Sequence, residues 1–356
     1  MIDRVIVTGG AGFIGSALIR YLLDHTTAQV CNLDKLTYAG NLSNLDSHLT
    51  EDYKKRYHFV KGDISNKNLV KDLVENFKPT TIMNLAAESH VDRSINSPTA
   101  FIETNINGTF NLLTIALDYW QSLAGKDMSK FRFHHISTDE VYGSLGKSGY
   151  FTENTSYDPR SPYSASKAAS DHLVKSWHHT YGLPIVITNC SNNYGPFHYP
   201  EKLIPLVIIN ALNEMELPIY GKGNNIRDWL FVDDHAEALV TVVSKGKCGE
   251  TYNIGGNNER TNLQVVELIC AILDDMLPRA NGDSYSKLIR FVEDRLGHDF
   301  RYAIDASKIK NELGWHPKES FESGLKKTIN WYVKNEGWWR PLFKSKYLGG
   351  RLEKNK

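Results

Sequence analysis

The chain has 356 residues, of which 41% are hydrophobic, and its 41 basic side chains balance its 41 acidic ones. A chain of this length is expected to form one large domain and a smaller one. Zero net charge excludes a global electrostatic field that recruits nucleic acid or an anionic membrane. No run of about 18 apolar residues is present, so no transmembrane helix is predicted.

The cysteines and the N-terminal sequence indicate a cellular compartment. Cys31, Cys190, Cys248 and Cys270 are far apart and form no CxxC pair, which is typical of reduced thiols rather than disulfides or zinc ligands. No His, Cys and acidic cluster has metal-ligand spacing, so no metal is expected. The start MIDRVIVTGG lacks the features of a signal peptide. Together these features predict a cytoplasmic protein.

Short β-branched runs alternate with helical patterns through the first two thirds of the chain. The predicted strands are Arg4–Thr8, Gln29–Asp34, Tyr57–Val60, Thr81–Ala87, Phe131–Thr138 and Ile185–Asn189. The predicted helices among them are Gly15–His25, Asn66–Phe77, Phe101–Tyr119 and Ser164–Tyr181. This alternation predicts an α/β fold, a Rossmann-type doubly wound parallel sheet with helices on both faces.

The alternation weakens after Asn189, where prolines and glycines cluster. Later helices are predicted around Leu203–Glu214, Val232–Ser244 and Leu263–Leu277. We expect residues 1–190 to form the Rossmann domain, to which the chain returns around 230–260. Residues 191–229 and 261–340 are expected to form a smaller C-terminal α/β domain that covers the substrate, and 341–356 a charged tail.

The sequence TGGAGFIG at Thr8–Gly15 is a glycine-rich turn between a predicted strand and a predicted helix. Gly9, Gly12 and Gly15 are three residues apart. A tight turn needs a residue that accepts positive φ, and a pyrophosphate approaches the backbone closely only where side chains are absent. The N–H groups of the helix N-terminus then face the phosphates. The motif predicts a dinucleotide site that includes Phe13 and Ile14, with a ligand-free glycine turn as the weaker alternative.

Asp34 ends the second predicted strand, nineteen residues after Gly15. A carboxylate there accepts hydrogen bonds from ribose hydroxyls and repels a 2′-phosphate, which favours NAD over NADP. The adjacent Lys35 weakens this preference slightly. Asp63 and Ile64, after the third strand, are candidates to contact the adenine, although a surface turn explains Asp63 nearly as well. Further cofactor-site candidates are Thr37, Ala86, Ala87 and Asn189.

The sequence Tyr163-Ser-Ala-Ser-Lys167 places a phenol and an ammonium one helical turn apart on the same face. The pKa of a free tyrosine lies near 10. A neighbouring cation and the positive nicotinamide ring favour the phenolate, so Tyr163 is predicted to act as a base towards a hydroxyl group. Lys167 is also expected to contact the nicotinamide ribose. The alternative for an isolated Tyr-x-x-x-Lys sequence is a surface pair.

Thr138, Asp139 and Glu140 lie at the carboxyl end of a predicted strand, where open parallel sheets bind ligands. Thr138 is expected to donate a hydrogen bond to the reacting oxygen. Oxidation of a hydroxyl needs neither acid, so Asp139 and Glu140 indicate a further proton transfer. Two solvated loop carboxylates, or a cap of the following segment, are the structural alternatives.

These motifs resemble those of the extended short-chain dehydrogenase/reductases that modify nucleotide sugars, and most closely the dTDP-glucose 4,6-dehydratase family. The matching sequences are TGGAGFIG, LAAESHVDRSI at Leu85–Ile95, STDEVYG, YSASK, TNCSNNYGP, PEKLIP, LPIYGKGNNIRDWL and DRLGHDFRYAID. They extend over nearly the whole chain. Two departures are Leu296, where the family usually has proline, and Phe300, where a basic residue is common. Neither is expected to abolish activity.

The resemblance implies a lyase that uses NAD in an internal redox cycle. Tyr163 takes the C4 hydroxyl proton of the glucose while hydride passes to NAD, Glu140 removes the C5 proton, and Asp139 protonates the leaving C6 hydroxyl. The hydride then returns to C6, which gives a 4-keto-6-deoxy sugar. Asp139 must be protonated, so its pKa is expected to be raised by burial or by Glu140. The implied substrate-binding residues are Ser89, Thr138, Asn192, Glu201, Lys202, Leu203, Pro218, Tyr220, Arg227, Asn262, Arg295 and His298.

Three alternatives remain open at the level of the sequence. A nucleotide-sugar 4-epimerase or decarboxylase shares the Tyr163–Lys167 pair, but an epimerase lacks both acids and a decarboxylase keeps at most one. A non-catalytic NAD-binding regulator typically loses one member of that pair. A UDP- or CDP-glucose dehydratase is hard to distinguish, since one thymine methyl contributes only about 1–3 kcal/mol. The resemblance also implies a homodimer formed by the Tyr163 helix and the Phe101–Tyr119 helix.

Overall fold

A seven-stranded parallel sheet forms the centre of the structure, a computed structural model that describes residues 2–294 and 299–343. The strands of the described chain are β1 Arg4–Thr8, β2 Gln29–Asp34, β3 Tyr57–Lys61, β4 Thr81–Asn84, β5 Arg132–Thr138, β6 Ile185–Cys190, β7 Asn192–Tyr194, β8 Leu217–Tyr220, β9 Ile226–Phe231, β10 Thr251–Ile254, β11 Glu259–Thr261 and β12 Ile289–Val292. The main sheet has the order β3-β2-β1-β4-β5-β6-β10. The order reverses between β1 and β4, which is where doubly wound sheets bind dinucleotides.

The helices cover both faces of this sheet and build a second layer beyond it. They are α1 Phe13–His25, α2 Ser43–Asp46, α3 Glu51–Lys54, α4 Lys67–Phe77, α5 Val91–Asn96, α6 Thr99–Phe101, α7 Thr109–Ser122, α8 Gly125–Lys130, α9 Pro162–Tyr181, α10 Leu203–Leu212, α11 Val232–Lys245, α12 Asn262–Met276, α13 Ser307–Leu313 and α14 Phe321–Lys334. A π-helical segment, Ile102–Gly108, precedes α7, and short 3₁₀ turns occupy Asp139–Tyr142 and Tyr285–Leu288. In the described ranges no helix combines the length and the apolar character needed to cross a bilayer.

The predicted α/β fold with a doubly wound parallel sheet is confirmed, and the chain returns to it late. β10 pairs with β6 as the seventh strand, and α11 packs on α1. Continuous apolar runs such as Val5–Val7 are fully buried because helices cover both sides of the sheet.

A second lobe comprises β7–β9, β11 and β12 with the helices α10, α12 and α14. Its core is separate and rich in aromatic side chains, among them Tyr194, Trp229, Phe231 and Phe321. β9 pairs with β7 in parallel and with β11 in antiparallel orientation. This lobe stands against the carboxyl edge of the main sheet and forms one wall of the cleft described below.

Two predicted elements differ clearly from the structure, and two helices were not predicted. The strand Thr81–Ala87 ends at Asn84, because the chain leaves the sheet there and the amide of Ala86 donates to the Thr8 hydroxyl. The helix Phe101–Tyr119 contains a π-helical segment and continues to Ser122. The helices α13 and α14 were absent from the sequence-based assignment.

Candidate active site

A cleft of about 390 Å³ opens at the carboxyl edge of the main sheet, between β1 and β4. Of the predicted site residues, those that line it are Gly9, Gly12, Phe13, Ile14, Gly15, Asp34, Lys35, Thr37, Asp63, Ile64, Ala86, Ala87, Ser89, Thr138, Glu140, Tyr163, Lys167, Asn192, Glu201, Lys202 and Leu203. Six described residues do not line it: Asp139, Asn189, Pro218, Tyr220, Arg227 and Asn262. Arg295, Leu296 and His298 lie outside the described residues.

The glycine loop fits a phosphate group because side chains at Gly9 and Gly15 would clash with the protein backbone, whereas one at Gly12 would contact a single protein atom. Gly9 has φ +72°, and a Cβ there would lie 2.8 Å from the Ala86 nitrogen. A Cβ on Gly15 would lie 2.2 Å from the Gly9 oxygen. A Cβ on Gly12 would meet only that oxygen, at 3.2 Å. Gly12 is the N-cap of α1, and it lines the cleft together with the first residues of the helix, so the helix N-terminus faces the cleft.

Asp34 supports the glycine loop as well as facing the cleft. Its carboxylate accepts the Ala11 amide at 2.9 Å and the Leu36 amide at 2.7 Å. Burial raises the pKa of Asp34, although both backbone hydrogen bonds act in the opposite direction. A carboxylate offers about four acceptor positions, so two remain for ribose hydroxyls.

Lys35 is paired within the protein, which bears on the choice between NAD and NADP. Its ammonium nitrogen lies 2.6 Å from a carboxylate oxygen of Asp63. The cation next to Asp34 is therefore already engaged by a carboxylate rather than available as a single charge for a 2′-phosphate. In the sequence, Lys35 weakens the predicted preference for NAD over NADP. Its pairing with Asp63 removes much of that effect.

The N-terminus of α9 positions the Tyr163–Lys167 pair. Ser161 and Ser164 form a reciprocal capping box, with Pro162 in the first turn, and this combination starts a helix at a defined residue. The ammonium group of Lys167 donates to the Ile136 carbonyl oxygen at 2.7 Å. Both side chains line the cleft although each is more than nine tenths buried.

The pKa of Tyr163 is set by burial among the protein groups. Burial and then the charge of Glu140 raise the pKa of Tyr163 well above its usual value, while the Thr138 hydroxyl acts in the opposite direction. Lys167 is not among the leading influences on that pKa. The expectation of a phenolate also includes the positive nicotinamide ring and stays a prediction.

Asp139 and Glu140 follow Thr138 at the end of β5 and occupy different environments. The Thr138 hydroxyl accepts the Glu140 amide at 3.3 Å and so caps the 3₁₀ turn. Glu140 lines the cleft, whereas Asp139 is 1% exposed. Burial, followed by the charges of Glu140 and Asp228, raises the pKa of Asp139 well above its ordinary range against the opposing charge of Arg227. The expected direction of this pKa shift is confirmed.

Arg227 lies beside these acids rather than in the cleft. Its guanidinium is 4.2 Å from the centre of the Tyr302 ring and donates to the Asp299 carbonyl oxygen at 3.0 Å. The side chain is 8% exposed. It is thus a fixed cation at the junction of the two lobes, close enough to act on the pKa of Asp139.

The remaining predicted residues outside the cleft support its walls or lie in the second lobe. Asn189 is fully buried and donates to the Thr138 carbonyl oxygen at 3.0 Å. Pro218 and Tyr220 belong to β8, and Tyr220 is 42% exposed. Asn262 begins α12, and its amide donates to the Asn225 carbonyl oxygen. Asn189 therefore holds the strand end that carries Thr138.

Several cleft residues were missed because no local motif marks them. The ring of Tyr38 lies 3.5 Å below the Arg93 guanidinium. Trp338 reaches the cleft from the far end of the chain and donates to Asn44 at 3.0 Å. Asn44 in turn donates to the carbonyl oxygen of Ala11 in the glycine loop. Of these residues, only Tyr38 could have been suspected from the sequence, because it follows the predicted cofactor residue Asp34 by four positions.

Comparison with models of protein families shows which family the chain belongs to. The family model described as GDP-mannose 4,6 dehydratase matches residues 6–328. The chain belongs to this family. The match begins within β1 and ends within α14, so it covers the main sheet and most of the second lobe of this chain.

Curated relatives within the family are similar over nearly their full length. The probable dTDP-glucose 4,6-dehydratase of Sinorhizobium fredii is 55% identical over 98% of both chains. The dTDP-glucose 4,6-dehydratase 1 of Escherichia coli K12 is 56% identical over 94% of both. Among solved structures, the dTDP-glucose 4,6-dehydratase of Bacillus anthracis in complex with NAD has a TM-score of 0.84 and 47% identity, covering 96% of this chain and 99% of that one.

Proposed function

We propose that the protein is a hydro-lyase that converts dTDP-glucose to dTDP-4-keto-6-deoxyglucose with NAD as its cofactor. The observation that carries this proposal is the Asp139–Glu140 pair at the end of β5, next to Tyr163 and Lys167. Oxidation of a hydroxyl needs only the tyrosine and lysine, whereas elimination of water needs an acid and a base. The names of the curated relatives agree with this reading.

The residues of the cleft fit NAD. Gly9, Gly12 and Gly15 leave the space that a pyrophosphate needs at the start of α1. Asp34 has acceptor positions left for ribose hydroxyls, and Lys167 also lines the cleft. When bound, NAD would supply hydride transfer with C4 and C6 of the sugar.

The two acids are suited to opposite proton transfers. Glu140 lines the cleft and takes the C5 proton. Asp139 is kept protonated by burial and by the neighbouring Glu140, so it can deliver a proton to the departing C6 hydroxyl. Each such transfer typically contributes about 10²–10⁴-fold to the rate. Tyr163 takes the C4 hydroxyl proton, with Thr138 hydrogen-bonded to the same oxygen.

The second lobe is proposed to bind the nucleotide. Asn192, Glu201 and Lys202 project into the cleft from this side. Arg227 is a buried guanidinium at the junction of the lobes, and guanidinium groups bind phosphate oxygens in a bidentate manner. We propose that the Arg227 guanidinium binds the pyrophosphate, either by leaving its carbonyl partners or by keeping them while it also donates to the phosphate. Arg295 and His298 are proposed to bind the same group.

Mass spectrometry of the products tests this function. The purified protein is incubated separately with dTDP-, UDP-, CDP- and GDP-glucose. We expect loss of one water, fastest with the dTDP sugar, and no net accumulation of NADH. A product of unchanged mass with inverted C4 would instead identify an epimerase, and free NADH an ordinary dehydrogenase.

We also propose that the protein is a homodimer in which α7 and α9 of one copy pack on those of the other. Large apolar side chains are exposed on and near these helices, including Ile102, Phe110 and Tyr181 at 43%, 50% and 49%. The ring of Phe110 packs edge-on against Trp177 of α9, so the two helices present one apolar surface. Exposed apolar patches of this kind are typical of interfaces.

The proposed compartment is the cytoplasm. Cys31, Cys190, Cys248 and Cys270 are all free thiols, and three of them are buried. Free thiols of this kind persist in reducing compartments. Locating the tagged protein by cell fractionation tests this assignment.

A further inference from the structure

A row of buried polar side chains crosses the main sheet directly behind the catalytic helix α9. Thr8 of β1, Asn84 of β4 and His135 of β5 are register partners on three adjacent strands. Each is at most 1% exposed. Buried polar groups of this kind are hydrogen-bonded to one another in a defined direction.

The direction of the row follows from its donors. The Thr8 hydroxyl accepts the Ala86 amide at 3.1 Å and donates to the Asn84 carbonyl oxygen at 2.7 Å. The Asn84 amide nitrogen lies 3.2 Å from Nδ1 of His135. Since that amide group donates, Nδ1 accepts, and the histidine proton belongs on Nε2. Nε2 lies 3.2 Å from Oδ1 of Asp171, the last member of the row.

Asp171 is fully buried, and two hydroxyl groups donate to it. The hydroxyls of Ser137 and Tyr157 donate to its Oδ2 at 2.8 and 2.9 Å, while His135 Nε2 lies 3.2 Å from its Oδ1. Burial alone raises the pKa of Asp171, but the neighbouring His135, the charge of Lys167 and the hydrogen bond from Ser137 outweigh that effect, so the pKa is lowered. Asp171 is therefore a carboxylate anion inside the protein.

Lys167 is the buried cation closest to Asp171 along α9. It lies one helical turn before Asp171 and is 4% exposed, and its ammonium group donates to the Ile136 carbonyl oxygen. Burial lowers the pKa of Lys167, and the charge of Asp171 opposes that change. A buried ammonium without a compensating anion is expensive and tends to lose its proton. The groups that act on this pair are His135 from β5, Cys190 from β6, and Tyr142 and Tyr157 from the segment after β5.

We propose that Asp171 is a positioning residue for the reaction: it is the counter-ion that keeps Lys167 charged and directed into the cleft. The polar row anchors Asp171 to Thr8, the residue that opens the glycine loop. The polar row thereby connects the loop that is proposed to hold the pyrophosphate with the buried carboxylate one helical turn from Lys167. The kinetic part of this proposal rests on the proposed function, whereas the charge interaction between Asp171 and Lys167 does not.

A melting-temperature cycle tests the charge interaction between Asp171 and Lys167 without substrate. The variants are Asp171→Asn, Lys167→Met and the double variant. The matched control is Asp234→Asn, alone and combined with Lys167→Met. Asp234 is also a buried carboxylate with two backbone donors, the amides of Lys318 and Glu319, but it lies on α11 away from Lys167.

If Asp171 is the counter-ion, either single substitution leaves a buried charge unpaired, and the double variant melts at a higher temperature than Asp171→Asn alone. The control pair Asp234→Asn and Lys167→Met is expected to show additive losses of melting temperature. Additive losses for Asp171→Asn and Lys167→Met as well would overturn the proposal. If Asp171→Asn fails to fold, recovery of folding in the double variant supports it, and failure of both overturns it.

The pH dependence of melting provides a second reading. Without the anion, the pKa of Lys167 falls further below its unfolded value, so the folded state binds fewer protons than the unfolded chain. Stability then rises with pH. The deficit of Asp171→Asn relative to the parent should shrink as the pH rises from about 6 towards the usual lysine pKa of about 10.4. A deficit independent of pH contradicts a charge role.

The kinetic measurement follows the same variants with dTDP-glucose. Removal of a nearby opposite charge shifts a pKa by about 1–3 units, so kcat of Asp171→Asn should fall by about tenfold or more at alkaline pH, with a smaller change in KM. An unchanged kcat would refute the positioning role. If the parent itself does not act on dTDP-glucose, the proposed function fails, and the melting cycle still decides whether Asp171 is the counter-ion of Lys167.

Discussion

Substitution of single glycines in the TGGAGFIG loop separates what the fold needs from what the cofactor needs. A Cβ on Gly15 would lie 2.2 Å from the Gly9 oxygen and 2.8 Å from the Gly10 Cα. Real Cβ atoms approach other atoms to no less than about 3.0 Å, so backbone must move by about 0.8 Å. Overpacking of this kind costs about 1–3 kcal/mol.

Two readings follow for Gly15→Ala. At about 2–4 °C of melting temperature per kcal/mol in a large domain, we expect a fall of several degrees. A displacement of nearly 1 Å in a binding loop reduces function by about 10²-fold, so the bound NAD released by denaturation should drop far below one per chain. Scanning calorimetry and the absorbance of the released nucleotide measure the two effects.

Gly12→Ala and Gly146→Ala are the matched comparisons. A Cβ on Gly12 meets one protein atom at 3.2 Å but projects where the phosphates are proposed to lie. This variant should keep its melting temperature and lose NAD. A Cβ added to Gly146 would meet open space. Gly146→Ala should therefore keep both its melting temperature and its bound NAD. Retention of NAD by Gly12→Ala at the parental level would refute the placement of the pyrophosphate.

Three further substitutions test other parts of the structure. Asp139→Asn should reduce kcat by about 10²–10⁴-fold with little change in bound NAD; equal losses of both would remove its proposed role. Because the folded pKa of Asp139 is raised, parental stability declines as the pH rises from the usual pKa of about 3.9, so Asp139→Asn should gain melting temperature relative to the parent at higher pH. Phe110→Asp should convert the dimer to a monomer in light scattering after size exclusion, and a persistent dimer would place the interface elsewhere. Lys35→Ala removes a half-exposed ion pair and should cost less than about 1 kcal/mol in denaturant unfolding, with NAD still preferred over NADP in equilibrium binding.

The main sheet was predictable because its strands are marked by local composition. The bounds of Arg4–Thr8 and Gln29–Asp34 agree with the structure, since continuous apolar runs between turn residues have few other interpretations. The π-helical segment Ile102–Gly108 was not predictable. Its apolar spacing resembles an ordinary helix, and the wider turn is selected by tertiary contacts such as the hydrogen bonds of Asn105 to Glu88 and Ser166.

The candidate site was predictable where one short segment carries the chemistry. The glycine loop and the Tyr163–Lys167 pair each lie within eight residues, so spacing along the chain implies proximity in space. Trp338 and Asp171 could not be found in this way. Trp338 reaches the cleft across the fold, and the partners of Asp171 come from β5 and the following loop. The burial that raises the pKa of Tyr163 among the protein groups could not be predicted from the motif either.

The late return of the chain to the main sheet limits how this architecture can be divided. β10 covers the outer edge of β6, and α11 packs on α1. A fragment ending at residue 190 would expose the edge of β6 and the apolar side chains that meet Leu239 and Tyr252 in the shared core. We therefore expect such a fragment to aggregate when expressed alone. Neither lobe is encoded by one contiguous stretch of the gene, so recombination cannot exchange a whole lobe in one piece. We expect recombination between relatives to succeed where it exchanges short surface loops.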